Sequence, residues 1–375
     1  MYSIIGSGIA GLACCSLLSK YGIQNEVFEK NNKILDQNYG IQLSPNASYV
    51  LEKMGLLELL KPKLKIINSI EIYSAQNLKS ITTLPIGSFV KNNNLTNYYT
   101  TSRNELYELL RKDVENSGTI INYKSEIMKI EDSNRKVQLY KKGDKIIEKE
   151  NLIIANGNSK KSIYKNITYK NVSNNFITLR TNITKENIPF YTKNDSVILL
   201  LGNHLHIVIY PFFNNELNVV LITNKKYVDN NLKLDLGRIG SIDKRIFQLI
   251  EECNWSSWQL HDRKIKLNLS SERAIYPIGD AAHSIKPHLA QGSAMALEDA
   301  YFLTKLITNK NKTKDIHQML KIREKRINRV INKSSQNRYF FHAVSPISII
   351  RNAILSNADG ESFLNTLKWL YCYRI

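Results

Sequence analysis

The sequence predicts a mixed α/β fold in which a nucleotide-binding domain is interleaved with a domain built on an antiparallel sheet, followed by C-terminal helices. Three observations lead to this fold. A short apolar strand at the start of the chain enters a glycine loop and a helix. Residues 176–223 contain apolar runs separated by Gly and Asn turns. Late in the chain, another apolar strand enters the dipeptide Gly279-Asp280.

The first thirty residues predict a Rossmann-like unit of strand, glycine turn, helix and strand. Its loop has the pattern Gly-x-Gly-x-x-Gly, which permits a tight turn and lets the backbone approach a pyrophosphate at the N-terminus of the helix. Glu29 ends the second strand, where a carboxylate accepts hydrogen bonds from an adenosine ribose. The nucleotide-binding residues predicted here are Gly6, Gly8, Ile9, Ala10, Gly11, Glu29 and Lys30.

The remaining elements follow from hydrophobic periodicity and turn residues. In chain order we predict helices over 49–60 and 103–114, alternating strands over 120–154, a turn at 156–157, an antiparallel sheet over 176–223, helical and then loop-like structure over 232–262, a strand over 274–278, a helix over 292–307, and a mostly helical segment 315–375 with one break at Pro346.

These elements suggest a division into two interleaved domains and a tail. We expect the nucleotide-binding domain to comprise residues 1–70, 100–165 and 272–310, and the substrate domain to comprise 71–99 and 166–271. Residues 311–375 form the C-terminal helical segment in this division. A chain of 375 residues predicts two to three domains by length alone, in agreement with it.

The formal charge of +19, from 52 basic and 33 acidic residues, raises the question of a nucleic-acid or membrane partner. Lys outnumbers Arg, and Asn is abundant, which is typical of a compositional bias. Proteins that read nucleic acid rely on Arg for planar, bidentate contacts. We therefore expect no nucleic-acid partner.

The four cysteines form no CxxC pair, so the sequence predicts no metal site. Cys14 and Cys15 lie in an apolar segment and are expected in the core. A strand begins at Tyr2, which argues against a signal peptide, and no apolar run is long enough to span a membrane. A cytoplasmic location fits these features. The sequence does not reveal the oligomeric state, and a homodimer and a peripheral membrane contact are left open.

The segment from Ile275 to His283, followed by the segment from Gln291 to Ala300, resembles the Gly-Asp motif of the group A FAD-dependent aromatic hydroxylases. In that family the Asp, here Asp280, holds the ribityl hydroxyls of FAD, and the following helix points its N-terminus at the flavin ring. A helix dipole in that position stabilises negative charge on a reduced flavin. The resemblance implies FAD as the cofactor and adds Arg103, Gly279, Asp280, Gly292 and Ser293 to its binding residues.

The stretch from His206 through Tyr210-Pro211 is similar to the salicylate hydroxylase and 3-hydroxybenzoate 6-hydroxylase branch of that family, as is the C-terminal Trp369–Tyr373. The resemblance implies that the chain uses NADH or NADPH and O2 to hydroxylate a small phenolic acid through a flavin C4a-hydroperoxide. The candidate catalytic residues are His206, Tyr210 and Gln291. His206 is expected to act as a base, and positions i and i+4 of a strand share a face, so Tyr210 is expected to line the same cavity.

For other polar residues the sequence supports less specific predictions. Arg180 is a candidate clamp for a carboxylate, with a surface ion pair as the alternative. His283 is expected to orient the Gly-Asp loop by hydrogen bonding. Glu298 and Asp299 are expected to be solvated or capping charges on a helix. The run Lys310–Lys314 is expected to cap a helix or form a loop.

One segment departs from the family pattern. Asn156 replaces the usual Asp, and Lys160 stands where the family has Ser, so the departure bears on NAD(P)H use. Two alternative functions stay open at this point. The first is a quinone-biosynthesis hydroxylase acting on a lipid precursor, with the apolar segment 343–373 touching a membrane. The second is an FAD-binding protein without hydroxylase activity.

Overall fold

The computed structural model describes most of the chain. The described residues are 1–32, 39–132, 136–143, 145–159, 161–172, 175–188, 190, 191, 193–213, 215–259, 262–267, 275–308 and 314–375. Lys160, residues 310–313 of the lysine run and the predicted domain boundary at residue 272 lie outside them.

The strands of the described residues fall into two large sheets and three small ones. In chain order they are β1 (Tyr2–Ile5), β2 (Asn25–Phe28), β3 (Gly40–Leu43), β4 (Lys65–Ile66), β5 (Ser69–Ser74), β6 (Ser80–Leu84), β7 (Tyr99–Ser102), β8 (Ile120–Asn122), β9 (Ile127–Asp132), β10 (Val137–Lys141), β11 (Lys145–Lys149), β12 (Asn151–Ile154), β13 (Ile167–Val172), β14 (Phe176–Thr184), β15 (Ser196–Leu201), β16 (Leu205–Phe213), β17 (Glu216–Asn224), β18 (Ser256–Gln259), β19 (Asp262–Leu267) and β20 (Ile275–Pro277).

The α-helices alternate with strands early in the chain and occupy its C-terminal part. They are α1 (Ile9–Lys20), α2 (Pro45–Lys53), α3 (Leu57–Leu60), α4 (Ile86–Asn92), α5 (Arg103–Asn116), α6 (Leu236–Ile239), α7 (Lys244–Glu252), α8 (Gly292–Thr308), α9 (Lys314–Phe341), α10 (Ile347–Asn357), α11 (Gly360–Asn365) and α12 (Lys368–Tyr371). Among the helices described, none has the length and apolar character needed to cross a lipid bilayer.

The first large sheet is parallel and has the strand order β20-β12-β1-β2-β8. Its central strand β1 pairs with β12 on one side and with β2 on the other, so the glycine loop leaves from the middle of the sheet. Helix α1 packs on this sheet and against α8, and Ala10 to Leu18 are buried along its length. Cys14 and Cys15 lie in this core, as predicted.

The second large sheet has seven strands in the order β18-β14-β17-β16-β15-β5-β6. The prediction of an antiparallel sheet is correct for β14 to β17, but β15 also pairs with β5 in parallel, so the sheet is mixed. On one face, Leu205, Ile207 and Ile209 join a core with α7. On the other face, Tyr210 and Val220 join a core with α8 and the C-terminal helices.

Several predicted elements need correction. The single helix over 49–60 is two helices, because Gly55 adopts a left-handed φ of 73° that ends α2. The end of 232–262 is not all loop, since β18 pairs with β14. The C-terminal segment has three breaks between four helices in place of one at Pro346. The domain boundaries themselves stay a prediction.

Glu298 and Asp299 are also corrected, since neither is solvated. Both are buried on α8 and bind Arg323 of α9, with distances of 2.5 Å from Arg323 Nη1 to Glu298 Oε2 and 2.6 Å from Nη2 to Asp299 Oδ1. Arg326, one turn later, donates to Glu298 Oε1 and to the carbonyls of Trp369 and Leu370. This buried network joins α8, α9 and the C-terminal end of the chain.

We predict that Arg323→Leu destabilises the protein by about 3–5 kcal/mol, because it removes the buried cation that Glu298 and Asp299 share and leaves Glu298 with Arg326 alone. The measurement is denaturant unfolding of the FAD-loaded protein. Lys325→Leu is the matched control, since Lys325 is exposed on the same helix, and it should change the free energy of unfolding by less than about 0.5 kcal/mol. Equal effects of the two substitutions would contradict the role given to the network.

Candidate active site

The glycine loop between β1 and α1 is a backbone cradle. Gly6 has a φ of 103°, and a Cβ there would overlap the carbonyl oxygen of Ala155 at the end of β12. A Cβ on Gly11 would overlap the carbonyl oxygen of Gly6, so this glycine allows the helix to approach the loop. A Cβ on Gly8 would meet nothing within 4 Å, and no side chain caps the helix at this residue. The start of α1 therefore offers open space and free backbone donors for a phosphate.

Glu29 is buried beside this cradle. Its Oε2 accepts hydrogen bonds from Ser7 N at 2.8 Å and Ser7 Oγ at 2.9 Å, and its Oε1 accepts from Asn31 N at 2.8 Å. A carboxylate has about four acceptor sites, so the three protein bonds leave capacity for a ribose hydroxyl. Ile9 and Ala10 open α1 at the cradle, whereas Lys30 is exposed just after Glu29.

The two glycine motifs, far apart in sequence, meet in the structure. Gly279 has a φ of 59°, and a Cβ there would stand 2.9 Å from the Cβ of Ala10 in α1. Its amide donates to Asp299 Oδ2 at 2.7 Å, and the same oxygen binds His283 Nε2 at 2.5 Å. His283 and Arg323 outweigh the effect of burial and hold the pKa of Asp299 below its ordinary value. The expectation that His283 orients this loop agrees with the contact.

Arg103 and Asp280 lie within electrostatic range of each other, although they come from different motifs. Arg103 begins α5, and its amide donates to Tyr39 O at 2.8 Å. Burial and the neighbouring Arg180 lower the pKa of Arg103, and Asp280 acts in the opposite direction. The side chain of Asp280 is exposed at the mouth of the Gly-Asp loop. A polyhydroxyl chain lying there would find both a donor and an acceptor.

The residues present fit FAD. The cradle has room for a pyrophosphate, Glu29 has acceptor capacity for a ribose, and Asp280 can take the ribityl hydroxyls. In addition, Asn156 Oδ1, which follows β12 beside Gly6, is buried without a hydrogen-bond partner. An orphaned buried acceptor of this kind is costly unless a ligand satisfies it.

Helix α8 begins at Gly292, where a Cβ would again meet open space. Ser293 Oγ donates to Gln42 O at 3.3 Å, which ties the start of α8 to β3. Gln291 is fully buried: its Nε2 donates to Ser44 Oγ at 2.9 Å, and its Oε1 accepts from Asn46 Nδ2 at 2.9 Å. Asn46 also donates to Glu298, so Gln291 is held by the same network as α8.

The face of the seven-stranded sheet that looks toward α8 carries polar groups. Cross-strand pairing places Thr178, Ile222 and His206 in one row, and Asn182, Asn218 and Tyr210 in another, on the same face. Arg180 lies between the rows. Thr178 Oγ1, Arg180 Nε and Asn218 Oδ1 are buried and have no partner. Such a concentration of unsatisfied atoms on one face indicates a surface that binds a polar ligand.

His206 and Tyr210 share this face, as their spacing predicts, but their side chains make different hydrogen bonds. Tyr210 donates its hydroxyl to Gly40 O at 2.8 Å, and burial raises its pKa to about 12. Tyr210 therefore supports β3. His206 is 1% exposed and lies 2.7 Å, Nδ1 to Nε2, from His342, which follows α9. The second ring nitrogen of His206 has no hydrogen bond to a described residue.

A third imidazole, His288, completes a cluster around His206. The ring centroids of His206 lie 5.3 Å from His288 and 5.0 Å from His342. Both ring nitrogens of His288 are buried without a partner. Burial, together with the neighbouring imidazoles, lowers the pKa of His206 well below its ordinary value. Burial and nearby basic groups lower the pKa of His288 and of His342 to about 3. All three rings are therefore neutral at pH 7.

Sequence reasoning missed His288 and His342. His288 stands four residues before Gly292, and no motif marks it. His342 is far along the chain, and only the packing of α9 onto the sheet brings it to His206. No sequence motif assigns Ser44 and Asn46 the role of holding Gln291. Arg180 makes no ion pair with a described residue. The alternative prediction, a surface ion pair at Arg180, is therefore not supported among these residues.

Residues 2–156 match the sequence family described as the FAD binding domain. The 3-hydroxybenzoate 6-hydroxylase 1 of Aquipseudomonas alcaligenes is 23% identical over 98% of this chain and 96% of its own. The 6-hydroxynicotinate 3-monooxygenase of Bordetella bronchiseptica is 22% identical over 81% of this chain and 82% of its own. A salicylate hydroxylase in complex with its substrate superposes with a TM-score of 0.78, at 17% identity, over 100% of this chain and 95% of that one. Klebsiella pneumoniae HpxO with FAD and uric acid gives 0.81, at 19% identity, over 98% and 95%.

The fold and the match to an FAD binding domain thus define a flavoprotein that binds FAD. These comparisons confirm the resemblance to the FAD-dependent aromatic monooxygenases drawn from the sequence, the mixed α/β fold and FAD as the cofactor.

We predict that Gly8→Ala leaves the apo-protein as stable as the wild type, within about 0.5 kcal/mol, because its Cβ meets no atom. FAD affinity should nevertheless fall at least about tenfold, since the methyl group occupies the phosphate space over α1. Fluorescence titration of the apo-protein with FAD measures this. Gly237→Ala in α6, with one ordinary contact, is the control. Unchanged FAD affinity in Gly8→Ala would place the pyrophosphate elsewhere.

We predict that the buried histidines make the fold sensitive to acid. The folded pKa of His288, about 3, lies below the value of 6.5 expected for an exposed ring, so its contribution to stability is present above pH 6.5 and is lost as pH falls toward 3. His288→Phe should make the free energy of unfolding depend less on pH by up to about 1.4 kcal/mol per pH unit in that window. Urea unfolding at several pH values tests this. Half-buried His204, replaced by Asn, should change the slope less. An unchanged slope in His288→Phe would contradict the prediction.

Proposed function

We propose that this flavoprotein uses NADH or NADPH and O2 to hydroxylate a small aromatic ring that carries a phenolic oxygen and an acidic group. The observation that carries the proposal is the sheet face opposite α8. It places a buried, neutral histidine on the same face as Arg180 and several unpartnered polar atoms. An apolar cavity wall with a few convergent polar groups is typical of a site for a small ligand. The relatives named above act on hydroxylated aromatic or heteroaromatic acids by their names.

The proposed roles of the residues follow from their charges. FAD, when bound, supplies the redox chemistry and the activation of O2. His206 is neutral and has an available ring nitrogen, so it can accept the proton of a phenol and increase the electron density of the ring. Arg180 can pair with a carboxylate, because its Nε has no partner and its guanidinium stacks 6.0 Å from the ring of Tyr39.

Gln291 and Tyr210 have supporting parts in this proposal. Both are buried and hydrogen-bonded within the protein, so they hold β3 and the start of α8 in place. The N-terminus of α8 can stabilise negative charge on a ring that lies against it. Exposed lysines around such a site would favour the approach of anionic substrates.

Cytoplasmic location, a homodimer and a peripheral membrane contact stay predictions. The four cysteines are free, which suits a reducing compartment. One observation favours the second candidate function, hydroxylation of a lipid quinone precursor. On α10, Ile347, Ile349, Ile350 and Ile354 are each more than half exposed, and such a face can rest on a lipid surface.

The test is substrate-stimulated reduction of the bound flavin. We expect NADH or NADPH to bleach the flavin absorbance faster when 3-hydroxybenzoate, salicylate or another hydroxybenzoate is present, with formation of a dihydroxylated product. His206→Ala should keep its FAD but give at least about tenfold less product per NAD(P)H consumed, since proton transfer by a positioned base is worth that much or more. Lys325→Leu, at an exposed position of α9, is the control and should leave the coupling unchanged.

Three outcomes are decisive. Stimulation only by a phenol carried in lipid vesicles would favour the quinone-precursor function. No flavin reduction under any condition would leave an FAD-binding protein without hydroxylase activity. Unchanged coupling in His206→Ala would refute its role as the base.

A further inference from the structure

The contact between His206 and His342 limits how the proton on each ring can be placed. A neutral imidazole has one N–H and one lone pair, so a 2.7 Å bond from His206 Nδ1 to His342 Nε2 needs a proton on one of these atoms only. If His206 Nδ1 carries it, His206 Nε2 keeps its lone pair. If His342 Nε2 carries it, His206 Nε2 is protonated and cannot act as a base.

We propose that His342 is a positioning residue, which accepts the Nδ1–H of His206 and thereby directs the lone pair of His206 Nε2 toward the substrate. The inference rests on the proposed function, in which His206 receives a phenolic proton. Metal-binding and catalytic histidines are commonly fixed in one tautomer by a hydrogen bond to the other ring nitrogen. Here the acceptor is a second imidazole, held at the end of a C-terminal helix.

The structure fixes His342 firmly enough for this role. Arg351, buried on α10, donates from Nη1 to the carbonyls of Phe340 and Phe341 at 3.0 Å, directly before His342. The ring of Phe176 packs on His342 at 5.3 Å between centroids. A main chain anchored by a buried cation and a ring packed against a strand leave the imidazole little freedom to turn away from His206.

The atoms and charges of the proton transfer balance between the substrate and the rings of His206 and His342. The lone pair of His206 Nε2 forms an N–H bond as the phenolic O–H bond breaks, and the electron pair of that bond stays on the substrate oxygen. His206 then carries both ring protons, and its Nδ1 proton can pass to His342 Nε2, whose lone pair receives it. The pair gains one proton and one positive charge, which is shared between the rings and faces the phenolate.

The charged surroundings favour an anionic substrate. His206 faces His288 and His342; His288 also faces Lys286 and Arg338; and His342 faces Arg338, Arg351 and His204. Each of these groups is basic, so the cluster resists protonation until a negative charge is placed beside it. A phenolate formed at His206 provides that charge. The three rings act as coupled sites and can hold about one proton together.

The first test measures the tautomer directly. The FAD-loaded protein, labelled with ¹⁵N at histidine, is examined by NMR without substrate. His206 should show a protonated Nδ1 and an unprotonated Nε2. In His342→Leu the two tautomers of His206 should mix, whereas His342→Gln, whose amide oxygen can accept, should restore the wild-type state. Lys325→Leu, at an exposed position of α9, should change nothing. A protonated Nε2 in the wild type, or a His206 signal unaffected by His342→Leu, overturns the proposal.

The second test follows proton uptake with 4-nitrophenol, whose ionised form has a distinct absorbance. Bound to the wild type, this probe should ionise at lower pH than in water. In His342→Leu that shift should shrink, and the rate of coupled hydroxylation should fall about tenfold or more, while KM and FAD content change little. His342→Gln should recover part of both. A loss of activity in His342→Leu with an unchanged ionisation of the probe overturns the proton-uptake step.

Failure of the proposal for His342 can be distinguished from failure of the proposed function. The NMR measurement needs neither substrate nor turnover, so it decides the role of His342 even if no phenol is hydroxylated. Absence of hydroxylation in the wild type would instead overturn the proposed function. The NMR result would still decide whether His342 fixes the tautomer of His206.

Discussion

Two buried arginines of α9 hold the helix on which both halves of the cofactor site depend. Arg323 forms ion pairs with Glu298 and Asp299, and Arg326 donates hydrogen bonds to backbone carbonyls near the C-terminus. Asp299 then fixes the amide of Gly279 and the ring of His283, and Glu298 fixes Asn46. Because a buried carboxylate without a cation is strongly unfavourable, these contacts are interdependent. The network therefore sets the position of α8 against the glycine loop and against β3.

That position accounts for the close approach of two glycine motifs that lie far apart in the sequence. The close approach of Gly279 to Ala10 brings the second motif over the first helix. The cradle at Gly6 to Gly11 and the open start of α8 are both helix N-termini, each favourable for negative charge.

The face of the seven-stranded sheet that looks toward α8 has a different character. Its sheet face is apolar around a few unsatisfied polar atoms, and its three imidazoles are neutral because burial and basic neighbours oppose their protonation. A site of this kind lacks compensating negative charge until an anionic ligand binds. The C-terminal helices contribute directly, since His342 follows the last residue of α9 and Arg351 of α10 anchors that end. The C-terminal segment thus contributes directly to the surroundings of His206.

The sequence by itself determined the Rossmann-like unit, the Gly-Asp motif, the FAD cofactor and the placement of His206 and Tyr210 on one sheet face. These follow from local rules: glycine conformations, strand alternation and helix N-termini act over a few residues. Only the tertiary structure decided that Glu298 and Asp299 are buried ion-pair partners, that β15 also pairs in parallel with β5, and that His288 and His342 surround His206. Each depends on contacts between residues distant in sequence, whose partners no local pattern can specify, because burial and electrostatics are set by packing.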